Sequence, residues 1–160
     1  MPRSIVVGTD GSEAAQEAVR QATDLASREG ARLHLVAAYP DPQVLREKIT
    51  GGATTEPVDL RGVAIGVLKR AEHGVPKGVE LETYAREGDP AEVIIQVANE
   101  QQADLIVIGS SGLTGIKRFL LGSVSNKVSH HAPCSVMIVR RAEEQARQRN
   151  SSSQSGGITP

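Results

Sequence analysis

The feature that most constrains this chain is the run Leu105-Ile106-Val107-Ile108, which stops at Gly109. A short, uninterrupted apolar stretch rich in β-branched residues suits a strand covered on both faces, and such strands belong to parallel sheets lying between helices. Ser4-Ile5-Val6-Val7-Gly8, Leu33 to Ala38 and Ser135 to Val139 have the same character. A further stretch differs. Val79, Leu81, Thr83 and Ala85 alternate with Glu80, Glu82, Tyr84 and Arg86, and period two with one polar face places this strand at a sheet edge.

Helical patterns separate these strands. Ser12 is a good N-cap for a helix whose Ala15, Ala18, Val19, Ala22, Leu25 and Ala26 form one apolar stripe, and Gly30 supplies its left-handed stop. So much alanine on the buried stripe implies close packing of helix on sheet. Leu60, Val63, Ala64, Val67, Leu68 and Ala71 make a second stripe, closed by Gly74 and Pro76. Asp89-Pro90-Ala91-Glu92 is a helix start, with Asp89 as N-cap, Pro90 in the first turn and Glu92 completing a capping box. Val93, Ile94, Val97 and Ala98 carry that helix to about Gln101, and a last helix runs from Val124 to about Ala132, where Pro133 ends it. Pro42, Gly51-Gly52, Thr54-Thr55 and Pro57 mark a long connection with a short helical turn over Val44 to Ile49.

This alternation predicts an α/β fold, an open parallel sheet with helices on both faces. One domain is expected over 1–141, followed by a tail over 142–160. Arg140 to Asn150 is charged and extends as a frayed helix at most, and Ser151 to Pro160 is Ser/Gly-rich and expected to be disordered. There is no internal repeat.

Composition removes several function classes. Tyr39, Tyr84 and Phe119 are the only aromatic residues, too few for the stacking platforms of single-stranded nucleic-acid binders. A net charge of −1 cannot neutralise a phosphate backbone, so nucleic acid is not an expected partner. No apolar run has the roughly 18–20 residues a membrane span needs, so no membrane partner is expected. The amino terminus enters a strand almost at once, and no signal peptide is expected. Cys134 stands alone, which excludes an internal disulfide and a cysteine-built metal site. A cytoplasmic protein is expected.

The layout after Ile108 suggests anion binding. Gly109, Gly112 and Gly122 leave backbone amides unshielded by a Cβ, and Gly122-Ser123 stands where a helix begins. The unpaired amides and positive dipole end of that helix would point at a ligand there, and Ser123 and Ser125 add hydroxyl donors.

Gly109-x-x-Gly112, nine residues, then Gly122-Ser123 resembles the nucleotide-binding signature of the universal stress protein family. The blocks IVVGTDGSEAA near the amino terminus and HHAPCSVMIVR near the end of the last strand resemble that family too, so the likeness spans about residues 2 to 140. It implies a Rossmann-like open sheet of five parallel strands in the order 3-2-1-4-5. The ligand crevice then lies outside the carboxyl ends of the first and fourth strands, where the order reverses. Thr9 and Asp10 would border the nucleotide with Gly8 beside them, Asp10 serving a ribose hydroxyl or a metal held by phosphates. The backbone of Ala38 would pair with adenine; valine is frequent at this position in the family, and alanine packs less on the base. Ile108, Gly109 and Gly112 would line the ribose and phosphates, while Gly122, Ser123, Val124 and Ser125 would hold the phosphate tail. Lys117 and Arg118 either screen phosphate charge or are simply solvated. The resemblance also implies ATP with Mg2+ carried on its phosphates, and a homodimer through the last strand, Ser135 to Val139.

Rival motifs are absent. The chain has no G-x-x-x-x-G-K-[ST], no G-x-G-x-x-G and no G-x-S-x-G. His130-His131 reads as a helix end whose histidines satisfy terminal carbonyls, and Cys134 as a small buried apolar residue. Three functions remain: an ATP-binding regulatory module with at most slow hydrolysis, a nucleotide-using hydrolase or transferase, and a dimeric scaffold with an empty pocket. Nothing near the phosphates resembles a positioned general base, so any hydrolysis is expected to be slow, and the glycine spacing favours either of the first two functions over the third.

Overall fold

A computed structural model describes residues 2–50, 58–111, 121–141, 146, 147, 149 and 150. The elements are β1 (Ser4–Gly8), α1 (Glu13–Glu29), β2 (Arg32–Tyr39), α2 (Pro42–Thr50), α3 (Leu60–Glu72), β3 (Leu81–Glu87), α4 (Pro90–Glu100), β4 (Leu105–Gly109), α5 (Ser123–His131) and β5 (Ser135–Val139). The strands form one parallel sheet in the order β3-β2-β1-β4-β5, as the family resemblance implied.

Successive side chains of a strand point to opposite faces, and two apolar cores result. Ile5, Val7, Leu33, Leu35 and Val107 pack under α1 and α3 with Ala18, Ala22, Ala64 and Leu68. Val6, Val36, Ile106 and Ile108 pack under α4 and α5 with Ile94, Val97 and Val128. Both cores are aliphatic, as the scarcity of aromatic residues requires. Asp104 fixes the alignment of β1 with β4: its carboxylate accepts the amides of Arg3 and Ser4 at 2.8 and 3.0 Å.

The helix starts largely follow the local code. Ser12 Oγ accepts the Ala15 amide, Asp89 Oδ1 accepts the Glu92 amide, and Gly30 closes α1 with φ of 66°. The capping box at Asp89 is only half made. Lys127 Nζ lies 3.0 Å from a Glu92 carboxylate oxygen, and this cross-helix pair engages the group that a full box would return to the Asp89 amide.

Two stretches differ from the sequence-based expectation. The connection after β2 holds a regular helix over Pro42–Thr50 rather than a short turn. Asp41 caps it by accepting the Gln43 amide at 2.8 Å, so Pro42 is a first-turn proline and not a loop marker. On α3, Val63 is 59% exposed while Ala64, Val67 and Leu68 are buried, which narrows the apolar stripe. The strand at 81–87 lies at one edge of the sheet as expected, and β5 forms the other. Residues 51–57, the Gly112 to Leu120 stretch and 151–160 lie outside the described residues, and the expectations for Gly112, Lys117, Arg118 and the terminal Ser/Gly stretch fall there.

Candidate functional site

A cavity of about 320 Å³ opens at the carboxyl ends of β1 and β4. That size falls within the range of small-molecule sites, and the place is the point where strand order reverses. Every residue expected at the site that the structure describes lines it. Gly8, Thr9 and Asp10 come from the end of β1, Ala38 from β2, and Ile108 and Gly109 from β4. Gly122, Ser123, Val124 and Ser125 come from the start of α5. Segments more than a hundred residues apart in sequence thus meet around one space.

The glycines that line the cavity also have packing reasons. A Cβ on Gly109 would lie 2.8 Å from the Ala14 carbonyl carbon and 2.9 Å from its Cβ, so helix α1 rests directly on that residue. On Gly8 a Cβ would strike the Ile94 side chain. At Gly122 it would stand 3.3 Å from the Ser110 carbonyl oxygen and 3.4 Å from Ser111 Cα. The sequence points Gly109 and Gly122 at a ligand; close approach of the Ala14 backbone explains Gly109 without any ligand, and the neighbour of Gly8 is the Ile94 side chain.

Gly122 is the N-cap of α5 with ordinary extended dihedrals, φ −60° and ψ 159°, and no side chain caps the helix. Helix α5 differs in this from α1, α3 and α4, which Ser12, Asp59 and Asp89 cap. The first-turn amides of Ser123, Val124 and Ser125 lack acceptors within their own helix and, with the helix dipole, favour an anion in the cavity. The Gly122 amide is already used: it donates to the Ser110 carbonyl at 2.8 Å. Ser125 is only 2% exposed, and its hydroxyl lies 3.1 Å from the Ser110 carbonyl and 3.0 Å from the Gly122 carbonyl. Ser125 was expected to offer that hydroxyl to a phosphate. Its single proton instead ties the end of β4 to the start of α5, and Ser123, which is exposed, keeps the hydroxyl suited to a ligand.

On the opposite wall, Asp10 Oδ1 accepts the Ser12 amide at 2.9 Å, and Thr9 Oγ1 accepts the Gly11 amide at 3.3 Å. Both side chains shape the turn into α1 while bordering the cavity. The Val36 carbonyl accepts the Thr9 amide and the Tyr39 carbonyl accepts the Gly88 amide on the other side. Backbone groups alternate sides along a strand, so Ala38 turns its N–H and C=O toward β1. The β1–β2 ladder has ended by then, at Gly8 opposite Val36, which leaves the Ala38 backbone facing the cavity.

Ser12, Ala15, Val36, Pro90, Ile94 and Ser111 also line the space and escaped the sequence reading. Pro90 and Ile94 had a signal available, since the start of α4 must come near the end of β1 in this topology. Asp10 is the only titratable side chain among the described lining residues. Among the described residues, no three His, Cys, Asp or Glu side chains gather as a metal site.

Other candidate groups have structural roles. His130 Nδ1 lies 2.8 Å from the Asn126 carbonyl, as expected near a helix end. Burial pushes the Cys134 thiol up in pKa and keeps it protonated, consistent with a small packed residue. Among the described residues, no helix is long and apolar enough to cross a membrane.

The family model for the universal stress protein family matches residues 1–140. The chain is 38% identical over 141 residues to the Thermus aquaticus universal stress protein in the QAH/OAS sulfhydrylase 3' region, covering 88% of this chain and 100% of that protein. It is 33% identical over 148 residues to universal stress protein YxiE of Bacillus subtilis, with coverage of 88% and 100%. Among solved structures, a universal stress protein in complex with cAMP is 29% identical, with a TM-score of 0.62 over 88% of this chain and 98% of that one. The chain belongs to the universal stress protein family.

Proposed function

We propose that this chain is an ATP-binding regulatory module, a cytoplasmic homodimer that hydrolyses its nucleotide slowly if at all. The observation that carries this reading is the uncapped N-terminus of α5 opening onto a cavity at the switch point of the sheet. Phosphate oxygens suit the amides of Ser123 to Ser125, and the Ser123 hydroxyl adds a donor. The outward-facing backbone of Ala38 offers one donor and one acceptor to an adenine edge. Val36, Ile94 and Ile108 give the base an apolar wall. Gly8, Thr9 and Asp10 border the ribose, Ile108 and Gly109 follow it, and Gly112 completes the family signature.

Mg2+ fits as an ion brought by the phosphates. The lining supplies one carboxylate, Asp10, and magnesium commonly keeps its waters with one or two carboxylates and substrate phosphates. Slow hydrolysis follows from the same scarcity. A general base must reach the attacking water, and Asp10 Oδ1 is held by the Ser12 amide.

A second reading is a cyclic nucleotide in the same cavity, favoured by the relative solved with cAMP. Calorimetric titration of nucleotide-free protein with ATP and magnesium, and separately with cAMP, tests both. Saturable ATP binding, tighter than cAMP, is expected. Tighter cAMP binding selects the second reading, and absence of both leaves the scaffold function.

A further inference from the structure

We propose that Ser125 is a positioning residue: its hydroxyl clasps the start of α5 to the end of β4, so that the anion-binding amides stand ready before a nucleotide arrives. The inference rests on the nucleotide reading of the cavity and adds how that site is held in order.

Helix α5 needs such a device. It runs for only nine residues, and no side chain caps its start. A helix shorter than about 12 residues is marginal on its own, so its first turn frays unless something holds it. A ligand that had to order that turn would lose affinity by doing so. Ser12, Asp59 and Asp89 fix the first turns of α1, α3 and α4 from the N-cap position. A capping side chain at residue 122 would defeat the purpose, because an N-cap oxygen takes the second- or third-turn-position amide that the ligand needs.

Ser125 fixes the turn from the protein side instead. Its hydroxyl reaches the Ser110 carbonyl, fifteen residues away just past β4, and the Gly122 carbonyl. Each of those carbonyls also accepts one amide, Ser110 that of Gly122 at 2.8 Å and Gly122 that of Asn126 at 2.9 Å. Ser110 is 8% exposed, and a Cβ on Gly122 would lie 3.7 Å from the Ser125 oxygen, so the joint is buried and packed. The hydroxyl proton is therefore spent within the protein, and the ligand is left the amides that this joint holds in place.

The test is Ser125→Ala, which removes one atom and should fold with a near-parental melting curve. Without ligand, hydrogen exchange at the Gly122 amide should quicken about fivefold, the worth of one neutral hydrogen bond, while that of Val97 on α4 changes less. Calorimetry with AMP, ADP and ATP should show one common loss of about fivefold. Adenosine affinity should stay as it was, because no phosphate then meets α5; a merely structural role would weaken adenosine equally. Parental Gly122 exchange, parental affinity for all three nucleotides, or a loss confined to ATP, the mark of a hydroxyl touching the last phosphate, would each overturn the proposal. A wild type that binds none of these ligands defeats the nucleotide reading itself, and the Gly122 exchange still decides whether the clasp exists.

Discussion

Gly109 and Ala14 are in backbone contact range: a Cβ added to the glycine would stand 2.8 Å from the alanine carbonyl carbon. Gly109 ends β4 and Ala14 lies in the first turn of α1, so this approach sets how deeply the helix seats on the sheet. It predicts that Gly109→Ala damages the fold before it damages any site. Overpacking of this kind costs about 1–3 kcal/mol, roughly 2–12 °C in melting temperature for a domain this size. Thermal unfolding by circular dichroism checks it, with Gly30→Ala as an instructive companion. There φ is 66° but nothing lies within 4 Å, so any loss is backbone strain and not overlap. An unchanged Gly109→Ala melting curve would mean that α1 slides freely on the sheet.

The cavity itself is tested at Gly122 and Asp10. Gly122→Val adds methyl groups against the Ser110 and Ser111 backbone and the cavity, at a residue whose φ of −60° suits any side chain. We expect it to weaken ATP more than Asp10→Ala does, because it displaces several amides together. Loss of one charge-assisted bond at Asp10 is about 1–3 kcal/mol, roughly a 5- to 150-fold weaker complex. Titration with ATP and magnesium, on variants shown to be folded by their melting curves, reads the result. Parental affinity in both would place the ligand elsewhere.

His34 makes stability depend on pH. It is 0% exposed, and burial holds its pKa below the ordinary value near 6.5, against the raising pull of Glu82. Tyr84 donates its one proton to Glu82, so His34 Nδ1 is the donor toward the Tyr84 oxygen at 3.2 Å, and Nε2 is left a bare lone pair. A histidine with a depressed folded pKa binds its proton more readily unfolded. Stability is therefore full above about pH 6.5 and falls as the pH drops from there toward the folded value, by at most about 1.4 kcal/mol per pH unit. Urea unfolding of wild type and His34→Gln between pH 7.5 and 5 should show a slope that the variant lacks. The depressed carboxyl of Glu82 acts in a lower window, beneath its ordinary 4.5. Parallel curves for the two proteins would remove His34 as the cause.

The outer edge of β5 is the proposed dimer contact. Ser135 to Val139 pair with β4 on one side, and β5 is the last strand in the sheet order, so among the described residues no strand covers its outer edge. Sedimentation should show a dimer at micromolar concentration, and Ile138→Lys should shift it toward monomer. Because Ile138 also packs on the α4 and α5 core, a melting curve must accompany that variant. A monomeric wild type would dismiss the interface.

Local chemistry along the chain was enough to specify the strands, most helix starts and the parallel class of the sheet. A β-branched run, an N-cap such as Ser12 or Asp89 and a stop such as Gly30 act over a few residues, and their effects are written in neighbours. The order 3-2-1-4-5 was legible only through resemblance to a family, since chain order alone permits other arrangements. Tertiary structure decided what each glycine and hydroxyl is for. Gly109 is answered by Ala14, Gly8 by Ile94, and the Ser125 hydroxyl by carbonyls at Ser110 and Gly122. Contacts between residues far apart in sequence arise from how two layers of helix settle on one twisted sheet, and no spacing within a single segment encodes that distance.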